Sequence, residues 1–244
     1  PHFINPDPLA IVRRYERLED REIIGLLGAF LAYGNVTAML AAIEQVIAPL
    51  GPNPAQTLRE WNGRRIARRY AGFRYRFSDE RQLVALLRGG SALQAERGSL
   101  EPIVADAIDI DDATACGGLD ALVDAIRSTT RTSLAHLLPR PANGSACKRL
   151  NLFLRWMVRR DIIDPGGWEA IWPRRLVMPL DVHVGRAARD RGWTKRKTAG
   201  RAMALDITGY LRNIRPDDPL RYDFALTRPG IRGSRARQPM LEEN

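Results

Sequence analysis

The chain has 244 residues, 45% hydrophobic and 27% charged, enough to bury a substantial core as one large domain or two intimate subdomains. Two cysteines (Cys116, Cys147) and three scattered histidines (His2, His136, His183) exclude a disulfide framework and a four-cysteine iron–sulfur loop, argue against a zinc site, and suit a reducing cytoplasm. The net charge of +10 is carried mostly by arginine, whose planar fork suits phosphate, so nucleic acid is the leading partner class and an anionic membrane surface the other.

Helix-period apolar runs recur along the chain and strand signals are sparse, which predicts an all-α protein. After the extended Asn5-Pro6-Asp7-Pro8, a helix is expected over residues 9–18. Between Glu22 and Glu44 no charge intervenes, yet Gly25, Gly28, Gly34, Asn35 and Thr37 interrupt the apolar run. Two buried helices meeting at Tyr33-Gly34-Asn35 are expected, not a bilayer span. The second covers 37–49 and stops at Gly51-Pro52-Asn53-Pro54. Further helices are expected over 55–61, 78–88, 101–107, 119–128 and 132–137, followed by a Pro/Gly loop at 139–144.

An amphipathic helix follows over 145–160, with Leu150, Phe153, Leu154, Met157 and Val158 toward the core. Asp164-Pro165-Gly166-Gly167 turns into a short helix at 168–171. Helices over 182–191, stopped by Gly192, and over 194–212 come next, and Asp218-Pro219 opens a last one through Tyr222-Asp223-Phe224. From Arg228 Gly, Arg, Pro and Ser dominate, so 231–244 are expected as a poorly ordered tail. The acidic stretch Asp106, Asp109, Asp111, Asp112 lacks the glycine and distal glutamate of a calcium loop and reads as solvated. Residues 62–77 mix six arginines with four aromatics. They suit a grip on single strands or phosphates, and equally a helix with aromatics in the core and arginines in solvent.

Pro179 fixes an extended approach to Asp181, which is then poised as the N-cap of the 182–191 helix. Lysine is rare: Lys195 and Lys197 sit in a solvated basic cluster, while Lys148 opens the amphipathic helix. Arg155 and Arg159 fall on about the same face as Lys148 and would meet phosphate there. From the residues alone, Lys148 reads first as a surface lysine of a basic helix, and Asp181 first as a cap and no more. Cutting a base from deoxyribose is one chemistry that uses a carboxylate near the sugar together with water or a lysine amine. The carboxylate stabilises charge on the sugar, and the neutral amine attacks its first carbon.

The run Met178-Pro179-Leu180-Asp181-Val182-His183-Val184-Gly185-Arg186 resembles the catalytic aspartate segment of the helix-hairpin-helix (HhH-GPD) DNA glycosylases, where an aspartate caps a helix at the mouth of the base pocket. The blocks at 148–160, 179–184 and 218–226 together resemble an uncharacterised bacterial family, defined by a domain of unknown function and related to that superfamily, over about residues 8–230. Most bifunctional glycosylases carry their lysine where this chain has Ile163. The archaeal 8-oxoguanine glycosylases (AGOG) place it on an earlier helix, similar to Lys148, 33 positions before Asp181. The early run ending Tyr33-Gly34-Asn35 resembles the glycosylase helix that ends beside the extrahelical base.

The resemblance implies a two-lobed HhH-GPD-like fold over 1–230, with lobe A at about 1–53 plus 141–230 and lobe B at about 54–140. It implies a base-excision glycosylase with AP-lyase activity on a damaged base, 8-oxoguanine from the lysine spacing, with Lys148 as nucleophile and Asp181 activating it. Tyr33, Gly34, Asn35, His183, Tyr222 and Asp223 would form the base pocket. Arg155, Arg159, Gly166, Gly167, Arg186, Lys195 and Lys197 would hold DNA. No cofactor, metal or membrane is expected; the partner is damaged double-stranded DNA, met by a monomer in the cytoplasm at the nucleoid. The Leu-Pro-Gly-Val-Gly hairpin usual in the superfamily is replaced by Asp164-Pro165-Gly166-Gly167-Trp168, which reads equally as a tight turn. The alternatives are a non-catalytic all-α nucleic-acid-binding protein that keeps the fold, and an enzyme of another class acting on RNA.

Overall fold

The computed structural model describes residues 6–223, and among them the chain is all-α, with eleven α-helices and one short β-hairpin. The expected tail lies outside the described residues, and the helix expected from Asp218 is a succession of turns over 219–222, closed by the Arg221 amide on the Asp218 carbonyl and the Asp223 amide on the Leu220 carbonyl. Helix α1 is a single turn, Leu9–Val12, and the next, α2, begins at Leu18 and runs to Phe30, so the helix expected over 9–18 is cut short. Helix α2 is the central element. Ile23, Ile24, Leu27 and Phe30 are buried on it, and a Cβ at Gly25 would stand 2.9 Å from Met157 Cε.

Two acids at the start of α2 are buried and act as connectors. Asp20 accepts from the Ala55 amide at 2.8 Å, which secures the start of α4 (Pro54–Glu60) from outside that helix. Glu22 accepts from Gln94, Ser99, the Leu100 amide and Trp168 Nε1. Burial pushes both carboxyls up against the pull of these donors.

Helix α3 (Val36–Ile47) is capped by Asn35, whose side chain accepts from the Thr37 and Ala38 amides, and a 3₁₀ turn carries it to Leu50. Helix α5 (Gly63–Arg69) precedes strands β1 (Arg74–Tyr75) and β2 (Ser78–Asp79), paired antiparallel with Tyr75 opposite Ser78. Asp79 and Gln82 form a capping box for α6 (Glu80–Arg97), which extends well past its expected end to Gly98 in the left-handed region.

Helix α7 (Glu101–Ala105) lies against α8 (Cys116–Ser128) at a close approach that only glycine permits. A Cβ at Gly118 would stand 2.3 Å from the Val104 carbonyl oxygen. Gly118→Ala is expected to destabilise the fold by about 1–3 kcal/mol, read as a lower urea midpoint with unchanged slope.

The segment expected as helix over 132–137 is a turn closed by the Leu137 and Leu138 amides on the Leu134 carbonyl. After α9 (Lys148–Val158), the stretch expected as helix over 168–171 is non-helical and followed by a 3₁₀ turn at Pro173–Arg175, because the Trp168 amide donates to the Met157 carbonyl instead. Helix α10 is Val182–Asp190. The last, α11, starts only at Arg201 and ends at Ile214; Thr194 is engaged with Asp206 and the Arg196 amide, which holds 194–200 out of a helix.

The apolar interior does not divide near residues 53 and 140. One large core joins α1 to α9, including buried residues of both expected lobes, while a second gathers Val177 to Leu211 with Cys116. No helix among the described residues is long and apolar enough to cross a membrane.

Candidate active site

A cavity of about 310 Å³ opens at the seam between the two cores. Its floor is one face of α9: Lys148, Leu152, Arg155 and Trp156, at the spacing of successive turns. The end of α2 contributes Tyr33 and Gly34, and the start of α10 contributes Asp181 and His183.

Lys148 is the first residue of α9, and its position is fixed by an unusual residue before it. Cys147 adopts φ 44°, ψ 43°, a left-handed conformation uncommon for a residue with a Cβ. Its Sγ–H reaches the Pro139 carbonyl at 3.2 Å and its amide the Ser145 hydroxyl at 3.2 Å. Burial pushes the Cys147 thiol up to about 11, so it stays neutral at ordinary pH and is no rival nucleophile. With Cys116 also buried, iodoacetamide at pH 8 is expected to leave the native protein unlabelled and to modify both thiols once it is unfolded. Mass spectrometry of the intact chain reads this.

Asp181 is both a cap and a site carboxylate. Its Oδ1 accepts from the Val184 amide at 2.9 Å, and its Oδ2 lies 3.6 Å from Lys148 Nζ. Capping fixes the carboxylate plane, and the fixed plane aims the second oxygen at the amine. The lysine side chain is 38% exposed and the aspartate 24%, so the pair is open to an incoming group.

Asp223 lines the same cavity from behind, buried and bonded to Arg155. Burial pushes its carboxyl up, opposed by Arg155. Arg155 and Arg159 correct the expectation that they face phosphate. Both are only 3% exposed. Arg155 donates to Asp164 Oδ2 through Nε and Nη2, each at 3.1 Å, and to Asp223. Arg159 bonds Asp164, Asp161 at 2.9 Å and Asp218 at 2.9 Å. Asp164 is the buried centre of this cluster, with burial pushing it up to about 6 against the two guanidinium groups. Buried charges in a low-dielectric interior need such partners, which is why these arginines turn inward.

Four further expected site residues are placed elsewhere. The Gly166 amide donates to the Trp156 carbonyl at 3.0 Å, so it is closed to a phosphate. Gly166 and Gly167 (φ 65° and 129°) instead make a tight turn against α2, where a Cβ at Gly167 would lie 2.6 Å from Leu18 Cδ1. Asn35 caps α3 and does not line the cavity, and Tyr222, though 42% exposed, does not line it either. Arg186, Lys195 and Lys197 are exposed, and His183 is exposed at the cavity rim.

Leu152 and Trp156 were not singled out from the sequence, although their spacing of four and eight from Lys148 places them beneath it. Among the described residues no group of histidine, cysteine or acidic side chains could hold a metal ion.

No curated protein and no solved structure matches the chain. One family model does, described as a protein of unknown function (DUF2400), over residues 7–232.

Proposed function

The chain belongs to that family, DUF2400, and we propose that this member is a base-excision DNA glycosylase with AP-lyase activity on a two-lobed HhH-GPD-like helical fold. The observation that carries the reading is the 3.6 Å approach of Lys148 Nζ to Asp181 Oδ2 at the mouth of a cavity. A volume of about 310 Å³ falls in the usual range for small-ligand clefts, about 300–1,000 Å³, and suits one extruded base.

In this mechanism Lys148 passes its proton to Asp181 and attacks C1′ of the extruded nucleotide. The C1′–N bond breaks, and the base leaves with the electron pair and takes up a proton. The sugar ring opens, O4′ gains a proton, and Nζ loses its own as the imine to C1′ forms. Loss of a C2′ proton then expels the 3′ phosphate, and water returns the free lysine. Asp181 returns that proton to the departing base, and the carboxylate so regenerated stabilises positive charge on the sugar as the first bond breaks. An oxidised purine, 8-oxoguanine, is the substrate that the Lys148 to Asp181 spacing favours by its resemblance to AGOG.

The test is borohydride trapping on a duplex with a single 8-oxoguanine. A covalent protein–DNA adduct is the expected product. A second reading, a non-catalytic nucleic-acid-binding protein, is favoured by the internal use of the Gly166 amide. Duplex binding with neither adduct nor base release across a panel of lesions would establish that reading in its place.

A further inference from the structure

Arg155, Arg159 and the Gly166 amide, expected to hold DNA, are turned inward onto protein partners. A different surface is equipped to hold it. Arg64, Arg65, Arg68 and Arg69 on α5, and Arg74 and Arg76 on the hairpin, are all exposed. No aspartate or glutamate occurs between Trp61 and Ser78. The acids that follow are engaged elsewhere: Asp79 caps α6, and Glu80 accepts from the Gly72 amide. None of the six arginines has a carboxylate ion-pair partner among the described residues, whereas Arg14, Arg59, Arg140 and Arg196, also toward the surface, each have one at 2.7–3.4 Å. A tract of six uncompensated guanidinium groups repels itself unless a polyanion lies across it.

The tract runs to the cavity. Tyr33, in the cavity wall, bonds the Tyr75 carbonyl at 2.9 Å and Ser78 at 2.7 Å, which ties the hairpin to the end of α2. At the hairpin tip, Arg76 takes φ 51°, where a two-residue loop favours glycine. Its side chain leans on Gly34, where a Cβ would stand 2.8 Å from Arg76 Cδ. Phe77 beside it is 68% exposed.

We propose that the α5–hairpin arginine tract is the surface on which the DNA backbone docks, leading to the rim of the Lys148–Asp181 cavity. The choice of DNA rests on the glycosylase reading; the choice of a phosphate polymer over a lipid surface rests on shape. Ile66 of α5 faces inward, and Phe77 alone offers the tract a large exposed apolar side chain, so no apolar face is available to enter a bilayer.

The experiment is fluorescence anisotropy with a labelled undamaged duplex over a salt series, using the full chain. Wild type is compared with R64Q/R65Q/R68Q, with R64K/R65K/R68K, and with a charge-matched control elsewhere, R97Q/R174Q/R215Q. The glutamine variant is expected to lower the log–log salt slope by about 3, roughly 0.9 per lost phosphate contact, with Tm unchanged. The lysine variant should keep the slope. An unchanged slope in the glutamine variant, an equal fall in the control, or tighter binding to anionic vesicles or duplex RNA than to DNA would each overturn the proposal. The two readings fail separately. Binding through the tract with neither a trapped adduct nor base release removes the glycosylase, and an adduct with an unaltered slope removes the tract.

Discussion

Lys148→Gln is expected to abolish the borohydride adduct completely, and Asp181→Asn to cut single-turnover base release by about 10²–10⁴-fold while leaving the fold intact. The second variant is the more discriminating. Asparagine caps a helix about as well as aspartate, so the bond to the Val184 amide and the stability of α10 are kept. What disappears is the negative charge 3.6 Å from Lys148. A structural role for Asp181 alone predicts no change in activity and no change in Tm. A role in the chemistry predicts lost rate at constant Tm. Lys148→Gln removes the only amine in the cavity among the described residues and is equally mild for stability, since the side chain is partly exposed. Full trapping by both variants would exclude the pair from the reaction.

Arg155→Met should lower stability by about 3–5 kcal/mol, an effect on the fold itself. The guanidinium bridges Asp164 and Asp223, two carboxylates from separate stretches of chain, deep in the interior. Removing it takes away a guanidinium that both buried acids share, while Arg159 still holds Asp164. Methionine fills much of the volume without restoring charge. For a chain of this size the loss corresponds to a fall in Tm of roughly 2–4 °C per kcal/mol, measurable by calorimetry. A change within about 0.5 kcal/mol would mean that the cluster is not held as a charged unit.

Local signals carried the sequence reading a long way where structure is itself local. Asp181 as a cap, the face of α9 and the break at Tyr33-Gly34-Asn35 follow from cap chemistry and period alone. The failures have a common cause in distance along the chain. Arg155 looked like a surface arginine because its partners lie nine and 68 residues away, and no periodicity reports an ion pair of that span. Residues 194–200 looked helical because the side-chain contact that diverts them, Thr194 to Asp206, comes from the next helix. The two-core division was hidden likewise, since apolar residues announce burial but not the neighbour they are buried against.

That division bears on how Lys148 and Asp181 are kept together. Lys148 stands on a helix rooted in the large core, and Asp181 precedes the helix that opens the small one. The approach of Lys148 to Asp181 therefore depends on the packing of the two cores on each other. A fluctuation that loosens the smaller core, far short of global unfolding, is expected to separate amine from carboxylate. Hydrogen exchange at Val184 and Met203 would then report how often the smaller core opens.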